Sequence, residues 1–128
     1  PDTFEKVVHT VTIKFDLKKS NITSEAATQL LDLIKMVSTG DLDSIELRAH
    51  TDTSGTVEYN LQLAKHRNEA IIGFLENNGL SIEGRVTAVA LGESEPLNVV
   101  NEDGVSCTRD GVRCEANRRV EISVVYWQ

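Results

Sequence analysis

The sequence predicts an α+β domain in the order βαβαββ. Its sheet should be mixed and four-stranded, with two main helices packed mainly on one face. Three observations lead there. Segments with a two-residue apolar period alternate with segments of helical period, which places helices against a sheet. The last two strand-like segments have only a turn-rich connection between them, so they are expected to pair antiparallel. The strands alternate apolar with polar residues, as a sheet covered on one face does.

The elements follow in order. "HTVTIKF" (His9–Phe15) sets Val11, Ile13 and Phe15 on one side and Thr10, Thr12 and Lys14 on the other. After the polar loop "DLKKSN", Thr23 and Ser24 are candidate N-caps with Glu25 in the first turn. Ala27, Leu30, Leu31, Ile34 and Val37 then fall at helical spacing, and Gly40 is the stop signal. "SIELRAH" (Ser44–His50) alternates again, with Ile45, Leu47 and Ala49 directed inward. A second helix should run from about Val57 to Asn77 and end before Gly79, burying Leu61, Ala64, Ile71, Phe74 and Leu75. "RVTAVAL" (Arg85–Leu91) is the third strand and "RRVEISVVYW" (Arg118–Trp127) the fourth. No repeat or low-complexity segment interrupts them.

Bulk composition bounds the function. The 128 residues, 40% hydrophobic, suit one domain spanning 1–128 with one core. Aromatics are 5%, so aliphatic side chains and Ala must fill that core. The net charge of −7 and the lack of a Lys/Arg cluster argue against nucleic acid and against an anionic membrane surface as partners. No apolar run reaches the length of a membrane span, and no signal peptide shows. A start at Pro1 without Met fits a processed protein or an excised domain.

Cys107 and Cys114 bracket the polar stretch "CTRDGVRC". In an oxidising compartment this pair reads as a disulfide; in a reducing one, as two thiols. No His or further Cys nearby completes a zinc site. His50, Asp52 and Ser54 lie too close in sequence for triad geometry, and no nucleophile elbow or phosphate loop is present. His50 and Asp52 as metal ligands lack a marked third. The reading is therefore not an enzyme, with no cofactor and no metal.

The informative stretch is "HTDTSGTVEYNLQLAKHR". Asp52 sits in a turn just beyond the second strand, near a helix N-terminus, where the macrodipole favours an anion. Asn60, Leu63, Ala64, Arg67 and Ile71 share one broad helical face, which keeps Arg67 near the helix–sheet boundary. An acid and a guanidinium at fixed separation can pair with each other or with neighbours. Spacing alone favours that plain pairing, with Asp52 capping the turn, over the binding of an amino acid whose ammonium and carboxylate are both free.

"AHTDTSGTVEYNLQLAKHRN" resembles the signature G-H-T-D-x-x-G-x-x-x-Y-N-x-x-L-S-x-x-R-A of the OmpA C-terminal-like domains, shared by Pal lipoproteins and MotB-type stator proteins. His50, Thr51, Asp52, Gly55, Tyr59, Asn60, Leu63 and Arg67 match in register. "IKFDLKKSNIT", "VTAVALGESEP" and "ANRRVEISV" are similar to three further family segments, so the resemblance spans about Ile13 to Val125. It departs at Ala49, Asn68, Leu91 and Lys18, none of which removes the charge pair.

The resemblance implies non-covalent binding of peptidoglycan through the diaminopimelate of its stem peptide, tethering an envelope protein to the wall. Asp52 would take the ligand's ammonium and Arg67 its carboxylate. Phe15 and Asp16 would flank the groove, Thr51 and Leu63 shape its wall, and Asn60 and Asn117 contribute less. Arg118 and Arg119 read as structural ion-pairing partners, whose local positive charge would also help an acidic domain tolerate an anionic polymer. The resemblance also implies a periplasmic setting, a Cys107–Cys114 disulfide as in some OmpA proteins, and attachment to a membrane through a segment upstream of Pro1. The alternative is an interaction or structural module of the same fold that has lost wall binding.

Overall fold

The computed structural model describes residues 5–128, so the first four residues of the expected 1–128 span lie outside it. Strand β1 is Lys6–Lys14, helix α1 Ser24–Val37, β2 Asp41–His50, α2 Val57–Asn77, β3 Val86–Gly92 and β4 Arg119–Trp127. A short 3-10 turn, Glu115–Asn117, precedes β4. The sheet order is β1-β4-β2-β3. Strand β4 is antiparallel to both β1 and β2, and β3 is parallel to β2.

One expectation fails here: β3 and β4 are not neighbours. Strand β4 crosses to the middle of the sheet, and β3 lies at an edge. The side chains explain the placement. Val120, Ile122 and Val124 are at most 1% exposed, the burial of a strand paired on both sides. Strand β3 offers mainly Thr and Ala between its valines, and much of it remains half-buried or exposed. The long connection from Gly92 to Arg119 gives the chain the reach to make the crossing.

Ile13, Ile45, Leu47, Ala49, Val120, Ile122 and Val124 form the sheet's side of the core; Ala26, Leu30, Leu33, Val37, Ala64, Ile71 and Leu75 form the helices' side. Thr23 caps α1 by accepting from the Ala26 N–H at 3.1 Å, and Thr56 caps α2 through the Tyr59 N–H at 3.1 Å. The α1 stripe is turned from the expected one. Ala26 and Leu33 are buried, Ala27 and Ile34 are only partly so, and Leu31 is 46% exposed. In α2, Leu61 is 39% exposed and Phe74 half-buried, while Asn60, Leu63, Arg67 and Asn68 are inside. The early turns of α2 face a polar turn rather than the aliphatic sheet, so an apolar stripe misjudges what is buried there.

Gly40 acts by close approach: a Cβ there would strike the carbonyl oxygen of Trp127. The two ends of the described chain meet at that pole. Glu5 N donates to Gln128 O at 3.0 Å and Gln128 N returns a bond to Glu5 O at 2.9 Å. The opposite pole gathers the C-terminal ends of β1 and β2 and the start of β4, where Lys14 is in register with Arg119.

A candidate ligand site beyond strands β1 and β2

At that opposite pole β2 runs out into Thr51–Gly55. Gly55 takes φ +91°, which costs a side chain strain but glycine little. The turn brings Asp52 back toward the protein, where it is 3% exposed. Its Oδ1 accepts from Ser54 N at 3.2 Å and Ser54 Oγ at 2.5 Å. Its Oδ2 accepts from Cys114 N at 3.1 Å and, at 3.5 Å, from Arg118 Nη1.

Neighbouring residues hold the turn in place. Asn60, 1% exposed, donates its amide to Ser54 O and Glu93 Oε1, both at 2.9 Å, with Asp52 O at 3.3 Å. Thr51 Oγ1 donates to Asp52 O at 3.0 Å, and Thr51 N to Gly92 O at 2.9 Å. Thr53 is tied to the cysteine loop: its hydroxyl donates to Arg109 O and accepts from Val112 N at 2.9 Å, and its carbonyl accepts from Gly111 N at 3.0 Å. Cys107 and Cys114 are disulfide-bonded, with Cα atoms 5.7 Å apart.

Arg67, in the middle of α2, is 0% exposed. Nε donates to Lys19 O at 3.0 Å, Nη1 to His50 O at 2.9 Å and Nη2 to Asp16 O at 3.2 Å. The guanidinium carbon lies 5.1 Å from the centre of the Phe15 ring. Burial pushes its pKa down to about 10; the Asp52 charge pulls the other way and the Arg118 charge adds to the fall. Arg67 therefore stays charged at neutral pH. The loop it holds contains Lys18 at φ +58°, the one non-glycine residue with positive φ among those described.

Asp52 and Arg67 thus feel each other's charge without bonding to each other. The acid is held by Arg118, and the base by three main-chain carbonyls. Asp16 meets Arg67 through its carbonyl oxygen rather than its carboxylate. Phe15, Thr51 and Leu63 are 3%, 2% and 8% exposed. A groove of about 460 Å³ is lined by Lys14, Phe15, Asp16, Glu25, Glu115 and Arg118 among others, and by neither Thr51 nor Leu63. Neither Asp52 nor Arg67 lines it.

Arg118 is a residue that sequence reasoning assigned mainly to ion pairing. It does pair with Asp52, but it also donates through Nε to Phe15 O at 3.2 Å and stands between that groove and the acid. Its adjacency to Asp52, 66 residues away in sequence, could be read only with the strand order known. Arg119 has the expected structural role, bonding Glu121 Oε2 at 2.9 Å and Asn117 Oδ1 at 3.0 Å. Asn117 is fully buried and receives Leu97 N at 2.8 Å, so it holds a loop.

The model of the OmpA family matches residues 14–106. The chain belongs to the OmpA family. This OmpA-family domain is 32% identical over 112 residues to the Photosystem I P700 chlorophyll a apoprotein A2 of Gloeobacter violaceus, covering 88% of the chain and 12% of that protein. It is 30% identical over 102 residues to the peptidoglycan-associated lipoprotein of Buchnera aphidicola, covering 80% of the chain and 58% of that protein. The domain spans between about an eighth and just over half the length of these two curated relatives. Its fold is similar to that of the OmpA-like domain of FopA1 from Francisella tularensis, with a TM-score of 0.70, 16% identity, and coverage of 96% of this chain and 76% of that one.

Proposed function

We propose that this OmpA-family domain binds peptidoglycan non-covalently through the diaminopimelate of the stem peptide and so ties an envelope protein to the wall from the periplasm. Support comes from the family, from a relative named as peptidoglycan-associated, and above all from one observation. Asp52, Arg67 and Arg118 converge at a single pole of the sheet, next to an open groove.

A zwitterion has one group for each charge. The 3.5 Å contact between Arg118 and Asp52 is the longest that Asp52 makes, and a ligand ammonium can replace it. Arg118 then turns its fork to the ligand carboxylate. Arg67 has five N–H groups and uses three of them on carbonyls, which leaves two for the same carboxylate. Phe15 and Leu63 would contact the ligand's methylene chain. The domain makes and breaks no covalent bond in this scheme.

The test is co-sedimentation with purified sacculi. Asp52→Asn keeps one acceptor oxygen, for Ser54, but loses the charge and the acceptor for Cys114 N–H. Arg67→Lys keeps a cation but loses the fork. Each should cut retention at least about ten-fold, since losing one partner of a desolvated charge pair costs roughly 2–5 kcal/mol. A stem peptide carrying lysine in place of diaminopimelate should compete poorly with the native one. Full retention of both variants, with folded spectra, would remove the site assignment. The complete burial of Arg67 favours a second reading, a module of this fold that no longer binds wall. The same assay on the unaltered domain decides between them.

A further inference from the structure

A second and larger groove, about 660 Å³, lies beside the first and shares Lys14, Glu115 and Arg118 with it. Its far wall is the connection between β3 and β4, including Arg113 and Cys114. Three cations, Lys14, Arg113 and Arg118, face two acids, Glu102 and Glu115. This lining has a formal charge of +1 on a chain of net charge −7, and is balanced if Arg118 is counted with its partner Asp52. Neither Lys14 nor Arg113 forms an ion pair with another described residue. Leu17 and Val100 supply apolar wall, and Val100 is 65% exposed. Basic side chains left unpaired in an acidic molecule, along a trough that meets a zwitterion site, mark a place for an anion attached to that zwitterion.

We propose that this groove is a second subsite for the wall peptide, taking the carboxylate of the glutamate next to diaminopimelate, with Arg113 and Lys14 as its cationic contacts. The inference rests on the reading of the first site. It adds a specificity: stem peptides whose glutamate carboxyl is free are preferred over those in which it is amidated. The cysteine loop joins the two subsites, because Cys114 lines the groove and gives its N–H to Asp52.

The experiment titrates the domain with three probes: free diaminopimelate, a disaccharide tetrapeptide with a free glutamate carboxyl, and the same fragment amidated there. Arg113 is exposed and its side chain bonds nothing described, so Arg113→Glu should fold. That variant should bind the free-carboxyl fragment about five-fold more weakly, the scale of reversing a partly exposed charge. Its affinity for free diaminopimelate should not change, and its preference for the free over the amidated fragment should vanish. Equal binding of the two fragments by the unaltered domain, or unchanged affinities in Arg113→Glu, overturns the subsite and leaves the first site standing. If free diaminopimelate does not bind while the fragment binds in an Arg113-dependent way, the diaminopimelate assignment fails and the groove survives. If no probe binds, both fail.

Discussion

His50 sits at the hinge of the site: its carbonyl anchors Arg67, while its ring, 2% exposed, contacts Glu121 Oε1 at 3.3 Å and leaves Nδ1 without a partner. Burial lowers its pKa below 6.5, with the Arg119 charge acting in the same direction and Glu121 opposing. The folded state therefore resists protonation more than the unfolded state does. Stability is full above pH 6.5 and falls as the pH drops through that value. Burial would raise the Glu121 pKa, but the Arg119 hydrogen bond and charge bring it below 4.5. Its contribution is present above pH 4.5 and is lost as the pH falls through its folded value. Urea unfolding should show the unfolding free energy declining between about pH 7.5 and 5.5, and His50→Asn should flatten that decline. The same residue shows what sequence cannot reveal. The His-Thr-Asp signature marked the turn, but the three partners of Arg67 and two of those of Asp52 are main-chain groups, and main-chain groups carry no identity in a sequence.

At the scale of elements, the helices were legible because caps and spacing are local. Helix α2 begins and ends where expected, and Thr23 caps α1. The buried stripes were less legible, because Asn60 and Arg67 are inside for the sake of a turn that lies elsewhere in the chain. The cysteine loop is the element that most directly supports the site, through Cys114 N on Asp52 and Gly111 and Val112 on Thr53. Replacing both cysteines by serine should cost about 2–3 kcal/mol of stability in the chain-entropy model. It should also weaken sacculus binding beyond what the fraction unfolded accounts for, because the carboxylate loses a fixed donor. Thermal unfolding and co-sedimentation of the same sample separate the two effects. Binding that tracks the folded fraction alone would assign the loop to stability only.

For the whole molecule, strand number and the mixed character of the sheet followed from periodicity, whereas strand order did not. Nothing local distinguishes a final strand that pairs with its predecessor from one that inserts between β1 and β2. The burial of Val120, Ile122 and Val124 decides it, and burial is a property of the assembled sheet. Hydrogen exchange should accordingly be slowest in β2 and β4, which are paired on both sides, and faster in the edge strands β1 and β3. Protection of β3 equal to that of β4 would contradict this order.

The bonds between Glu5 and Gln128 have a practical consequence. Glu5 and Gln128 lie at the pole turned away from Asp52, and nine residues of β1 at about 3.3 Å each put roughly 30 Å between them and it. A dye attached at Gln128 therefore stands roughly 30 Å from Asp52, far enough to report on binding without touching the ligand.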